Sequence, residues 1–160
     1  MKNICSAKTI RFTVILLFVT IFSYAQENEL PETNGSFYAI SVKNLDKAVE
    51  WYANHLDFTI ESTAENDERK GVLMTRKGCI LELAEFTGAT DLKEIKSNIE
   101  SHELFGIFKI GFITSNIEES FKALEESDVE IFFSIVDLPN GKRTFGVKDL
   151  EGNIIQFFGE

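Results

Sequence analysis

Residues Phe37–Leu56 read "FYAISVKNLDKAVEWYANHL", and the spacing of the apolar residues changes halfway along. From Phe37 to Val42 the residues alternate as in a half-buried strand, whose side chains point to opposite faces in turn. From Leu45 onward, Leu45, Val49, Tyr52 and Leu56 recur at helical spacing and form one apolar stripe. Asn44 stands between the two, where its side chain can accept a backbone N–H at the start of a helix. The stretch is therefore a strand, a cap and an amphipathic helix.

The arrangement returns 72 residues later, where Asn44, Leu45, Val49 and Tyr52 become Asn116, Ile117, Phe121 and Leu124. A strand, "IFKIGFIT", precedes the second cap. Three β-rich runs follow each helix: "DFTIESTAE", "GVLMTRK" and "CILELAEF" in the first half, "VEIFFSIVD", "KRTFGVKD" and "NIIQFFG" in the second. The order βαβββ thus occurs twice. The expected fold is α+β, with two tandem βαβββ modules, 37–87 and 107–160, joined by a polar connector of helical spacing, 88–106. Each sheet has one face covered by its helix, so the other faces should bend as a curved mixed sheet around a central cavity.

The two-residue period of a strand divides the side chains between these faces. Tyr38, Ile40, Val42, Leu81, Leu83, Ile110, Phe112, Ile155 and Phe157 fall to the helix side. Phe37, Ala39, Ser41, Glu82, Lys109, Gly111, Ile154, Gln156 and Phe158 fall to the concave side.

The first residues have a different character. Lys2, Lys8 and Arg11 precede the apolar run "FTVILLFVTIF" (Phe12–Phe22), and Ser23-Tyr24-Ala25 supplies small residues for cleavage after Ala25. This reads as a signal peptide, 1–25, because the run is too short to cross a bilayer. Export to the periplasm or medium follows, with no membrane contact after cleavage. The polar stretch 26–36 then reads as a disordered leader. Removing three basic residues takes the net charge from −10 to −13. Such a surface repels phosphate backbones, so nucleic acid is not an expected partner. Cys79 is left alone, in the apolar context of a buried small hydrophobe.

The stretch "SVKNLDKAVEWYANHLDF" (Ser41–Phe58), the duplication, and "VKDLEGNIIQFF" (Val147–Phe158) together resemble the vicinal oxygen chelate superfamily. It includes glyoxalase I, extradiol dioxygenases, and fosfomycin and bleomycin resistance proteins. The resemblance spans Phe37–Glu160 and implies the glyoxalase/bleomycin resistance fold. Two details depart from the usual pattern: Leu56-Asp57-Phe58 stands for Leu-Gly-Phe, and Asp149-Leu150-Glu151-Gly152-Asn153 for Asp-Pro-Asp-Gly-Asn.

Metal-dependent members carry one ligand on each of the first, fourth, fifth and eighth strands, typically His, Glu, His and Glu. By this resemblance the matching residues are Phe37, Glu82, Lys109 and Gln156. A phenyl ring has no lone pair to offer, an ammonium repels a divalent cation, and a carboxamide is a weak neutral ligand. His55 and His102 read as surface residues off the strands. No metal, cofactor or catalytic residue is therefore expected. Lys109 either pairs with Glu82, with Gln156 completing the network, or reaches solvent while Glu82 stays partly exposed.

Phe37 and Phe158 add aromatic surface to the concave side, the usual make-up of a small-molecule site. Arg143 follows the turn Pro139-Asn140-Gly141 as a solvated loop tip or as a rim cation for an anionic ligand group. The turn "NDERKG" (Asn66–Gly71) suggests no chemistry, and no phosphate loop or nucleophile motif is present. The expected ligand-binding set is Phe37, Glu82, Lys109, Arg143, Gln156 and Phe158. The expected function is binding of a small, mostly apolar molecule without metal. The alternatives are a glyoxalase-type lyase or isomerase with a non-standard metal site, and a protein-interaction domain. The resemblance also implies a homodimer.

Overall fold

The computed structural model describes residues 34–91, 94–95 and 106–159. The expected signal peptide, the expected leader as far as residue 33 and most of the connector, His102 included, lie outside the described residues, and Ser36, read as the end of the leader, is the first residue of the first strand. The elements are β1 (Ser36–Ser41), α1 (Leu45–Leu56), β2 (Thr59–Glu65), β3 (Arg69–Arg76), β4 (Cys79–Phe86), β5 (Lys109–Ile113), α2 (Ile117–Glu125), β6 (Glu130–Asp137), β7 (Arg143–Lys148) and β8 (Ile154–Gly159). This is βαβββ twice.

The sheets are four-stranded, ordered β1-β4-β3-β2 and β5-β8-β7-β6. Within each, the first strand runs parallel to the last and the other pairs are antiparallel. The parallel pairs need a crossover, which the helices provide.

Both helices start on the expected caps. Asn44 Oδ1 accepts the Lys47 N–H at 2.9 Å, and Asn116 Oδ1 accepts the Glu119 N–H at 3.1 Å. The first helix buries Leu45, Ala48, Trp51, Tyr52 and Leu56. Its apolar stripe is therefore wider than the spacing alone suggested, with Val49 at the margin. Asp57 ends α1 in the left-handed region, φ 54°, and its N–H returns to the Tyr52 carbonyl. That conformation explains why Gly is usual at this position.

The strand-face assignment holds on the helix side. Leu81, Leu83, Ile155 and Phe157 are buried in the core, and Tyr38, Ile40, Ile110 and Phe112 pack against it. Phe112 joins the modules through edge contacts with Tyr38 and Phe58 of the first. Cys79 is a buried free cysteine.

A second link crosses the modules. The buried Tyr52 hydroxyl donates to Asp149 Oδ2 at 2.9 Å. Asp149 also accepts from the backbone N–H groups of Glu151 and Asn153 and from the Asn153 amide. Burial, then the neighbouring Asp149 carboxylate, pushes the Tyr52 phenol far above its ordinary range. The turn between β7 and β8 is thus the seat of a module–module contact, since its carboxylate remains satisfied although only 6% exposed.

Candidate ligand-binding site

On the concave side of the first sheet lies a groove of about 280 Å³, lined by Phe37, Ser62, Thr63, Arg69, Leu73 and Glu82 among others. Its shape follows from side-chain size. Leu73 pairs with Glu82 across β3 and β4, and the next same-face pair is Gly71 with Ala84. Those two small residues leave a lane along which the Arg69 side chain reaches back to Glu82.

Arg69 Nη1 meets Glu82 Oε1 at 3.0 Å, with side-chain exposures of 40% and 21%. The guanidinium also stands 5.9 Å from the centre of the Phe86 ring. Glu82 therefore has a cation, and it is Arg69 rather than Lys109. The ammonium of Lys109 stands over the Phe108 ring at 5.5 Å. Arg69 was not legible because it falls within "NDERKG", which reads as a turn, whereas the structure places it as the first residue of β3. Asn66 Oδ1 holds the turn by accepting from the N–H groups of Glu68 and Arg69. The signal available was strand parity: Arg69, Gly71 and Leu73 share one face.

Phe37 lies 58% exposed at this groove. Of the other expected residues, Lys109, Gln156 and Phe158 belong to the equivalent face of the second sheet and do not line it. Gln156 is 5% exposed. Its Nε2 donates to Thr144 Oγ1 at 2.7 Å, and that hydroxyl donates to the Phe157 carbonyl at 2.7 Å. Its Oε1 is buried without a hydrogen-bond partner among the described residues. A neutral amide suits this position, since an ionised carboxylate would bear a far larger desolvation cost. Beside it, a Cβ at Gly146 would overlap the Phe133 ring, which a bulge in β6 brings over the glycine.

Arg143 faces the other way. It makes a two-pronged ion pair with Glu118 in the first turn of α2, one prong being Nη2 to Oε2 at 3.0 Å. Hydrogen bonding from Arg143 holds the Glu118 carboxyl below its ordinary range. Strand parity accounts for this placement, because Arg143, Phe145 and Val147 share the helix side of β7. His55 is not a free surface residue either: it is half-buried, with its ring 5.3 Å from Trp51.

The four positions at which metal-dependent relatives hold a cation do not form a donor set here. Phe37 offers none, Glu82 is engaged by a guanidinium, Lys109 is cationic, and Gln156 directs its amide at Thr144. Among the described residues no three His, Cys, Asp or Glu side chains come together as a cluster able to hold a metal ion. The residues present do not fit a divalent metal.

Residues 36–157 match the sequence profile of the Glyoxalase/Bleomycin resistance protein/Dioxygenase superfamily. The chain belongs to that superfamily. No curated protein matches it at the level of sequence. A superfamily member from Frankia sp. superimposes with a TM-score of 0.64 at 16% identity, covering 81% of this chain and 98% of that one. A member from Sphaerobacter thermophilus gives 0.59 at 23% identity, covering 82% and 100%. Lactoylglutathione lyase from Agrobacterium tumefaciens gives 0.58 at 16% identity, covering 81% and 96%. At these identities the likeness is one of fold, and the chemistry rests on this chain's own residues.

Proposed function

We propose that this superfamily member binds a small, mostly apolar molecule in the groove of its first module, without a metal ion, after export from the cell. The carrying observation is the Arg69–Glu82 ion pair: the one carboxylate among the four family metal positions is already neutralised by a guanidinium. Phe37 and Leu73 supply apolar contact, and the ion pair with Ser62 and Thr63 supplies orientation. This mixture of apolar walls and a few fixed polar groups suits recognition of a compact ligand. Phe158 and Gln156 lie on the equivalent face of the second module.

Export is supported by the basic, apolar and small-residue order of residues 1–25. Among the described residues no helix is long and apolar enough to cross a membrane. A homodimer is supported by β5, which exposes Ile113 at 88% and follows Ile107 and Phe108, exposed at 90% and 70%. Sedimentation of the full chain reads that assembly directly.

Binding is tested by titrating the full chain with Nile red, an apolar dye whose emission reports desolvation. One saturable site per chain is expected, weakened roughly tenfold or more by Leu73→Glu, which adds a second carboxylate beside Glu82. Equal dye binding by Leu73→Glu would place the site elsewhere.

A further inference from the structure

The two modules are related by the 72-residue repeat, so the ways in which each β-turn meets the other module's helix can be compared residue by residue. In the first sheet Leu81 lies between Tyr38 and Met74; in the second, Ile155 lies between Ile110 and Val147. Met74 thus corresponds to Val147, and Arg76 corresponds to Asp149. Tyr52 corresponds to Leu124 and Lys43 to Ser115. The turns differ in length: Lys77 and Gly78 separate Arg76 from Cys79, whereas Leu150, Glu151 and Gly152 separate Asp149 from Asn153.

Along α1 and at the residue before its cap the turn delivers carboxylates. Asp149 accepts from the Tyr52 hydroxyl at 2.9 Å, and Glu151 Oε1 accepts from the Lys43 N–H at 3.0 Å. At the start of α2 the equivalent turn is shorter and carries Arg76 and Lys77. Between this turn and α2 lies a groove of about 350 Å³, whose lining includes Arg76, Lys77, His55, Ser115, Asn116 and Leu124.

Arg76 stands at the position of Asp149 with the opposite charge. Its guanidinium stands 5.8 Å from the centre of the Phe112 ring, and its Nε–H is buried with no hydrogen-bond partner among the described residues. That single buried N–H without an acceptor is costly, while Arg76 as a whole is half-buried and lines the groove, and carboxylate is the group its planar fork matches. The acidic residues of the groove do not satisfy it: Glu119 is turned back to the Asn116 amide at 3.2 Å, and Asp57 ends α1.

We propose that this seam between the modules is a second binding site, taking the carboxylate group of a small organic acid that Arg76 grips and Lys77 attracts. The bound carboxylate fills the place that Asp149 and Glu151 fill at the other seam, and it tightens the second junction as the Tyr52–Asp149 bond tightens the first. The site lies on the helix side, apart from the concave groove, and does not depend on the function proposed for that groove.

The test is an amide and guanidine NMR titration of the full chain with succinate, against chloride at matched ionic strength. Saturable shifts are expected at Arg76 Nε–H, Lys77, Ser115 and Asn116. Arg76→Gln should weaken the response roughly tenfold or more, and Arg76→Lys should retain part of it. Because Arg76 also packs on Phe112, Ala123→Glu serves as a second variant: Ala123 lines the groove from α2, and its new carboxylate should compete with succinate. Shifts matched by chloride, or unchanged in Arg76→Gln and Ala123→Glu, would overturn the proposal.

Discussion

Arg69 and Glu82 meet at 3.0 Å across two small residues, Gly71 and Ala84, on the concave face of the first sheet. The pair is partly exposed, so solvent screens it and its net worth is small, about 0.5–1 kcal/mol. A double-mutant cycle with Arg69→Met and Glu82→Gln is expected to return a coupling energy of that size by chemical denaturation. A coupling near zero would mean that the two side chains are not held together in solution.

The Tyr52–Asp149 bond predicts a larger effect. Tyr52→Phe keeps the ring in the core and removes one donor from a buried carboxylate that retains three others. A loss of about 2 kcal/mol is expected, seen as a Tm lower by several degrees.

The same residue fixes a pH dependence. Its phenol is raised in the folded state, so its contribution is fully present below the unfolded value of about 10 and declines as pH rises beyond it. The stability gap between the wild-type chain and Tyr52→Phe should therefore narrow above about pH 10, in urea unfolding at each pH.

Asp57 closes α1 in the left-handed conformation, with a negative charge at the negative end of the helix dipole. Asp57→Gly removes both penalties and is expected to stabilise the chain by about 0.5–1 kcal/mol. Calorimetry of the two proteins measures it. A destabilised Asp57→Gly would show that the Asp57 carboxylate makes a contact worth more than these penalties.

Gln156 is buried against Thr144, so Gln156→Glu introduces a carboxyl that favours its neutral form. The variant is expected to lose about 2–4 kcal/mol at pH 7 and to recover much of it near pH 4, where the unfolded chain is protonated too. Equal stability deficits at both pH values would indicate that residue 156 reaches solvent.

Much of the fold was legible because its signals are local and repeated. The two asparagine caps, the helical stripes and the period-two strands each recur after 72 residues, and the faces assigned from that parity place Leu81, Leu83, Ile155 and Phe157 in the core. The site was less legible, because it depends on which long side chain reaches a neighbour. Glu82 was read as a concave-face carboxylate that either pairs with Lys109 or stays partly exposed while Lys109 reaches solvent; the structure has Lys109 exposed and Glu82 21% exposed, with a cation that neither alternative named. The residue that reaches it, Arg69, looked like part of a turn, and its path is opened by glycine and alanine, which carry no signal of their own. Arg143 was misplaced for a related reason: "NGKRTF" fixes a hairpin but not which side of β7 its first residue takes. Phe133 could not be read as a cover for Gly146, since β6 changes register at a bulge that the alternating pattern does not mark.

The central claim is that the concave groove holds an organic molecule and not a metal ion. Native mass spectrometry of the purified full chain, before and after chelation with EDTA, tests it most directly. The expected result is a bound species of organic mass, or a chain competent to take up Nile red, that EDTA leaves unchanged. A stoichiometric adduct with the mass of a transition metal, stripped by EDTA, would contradict it.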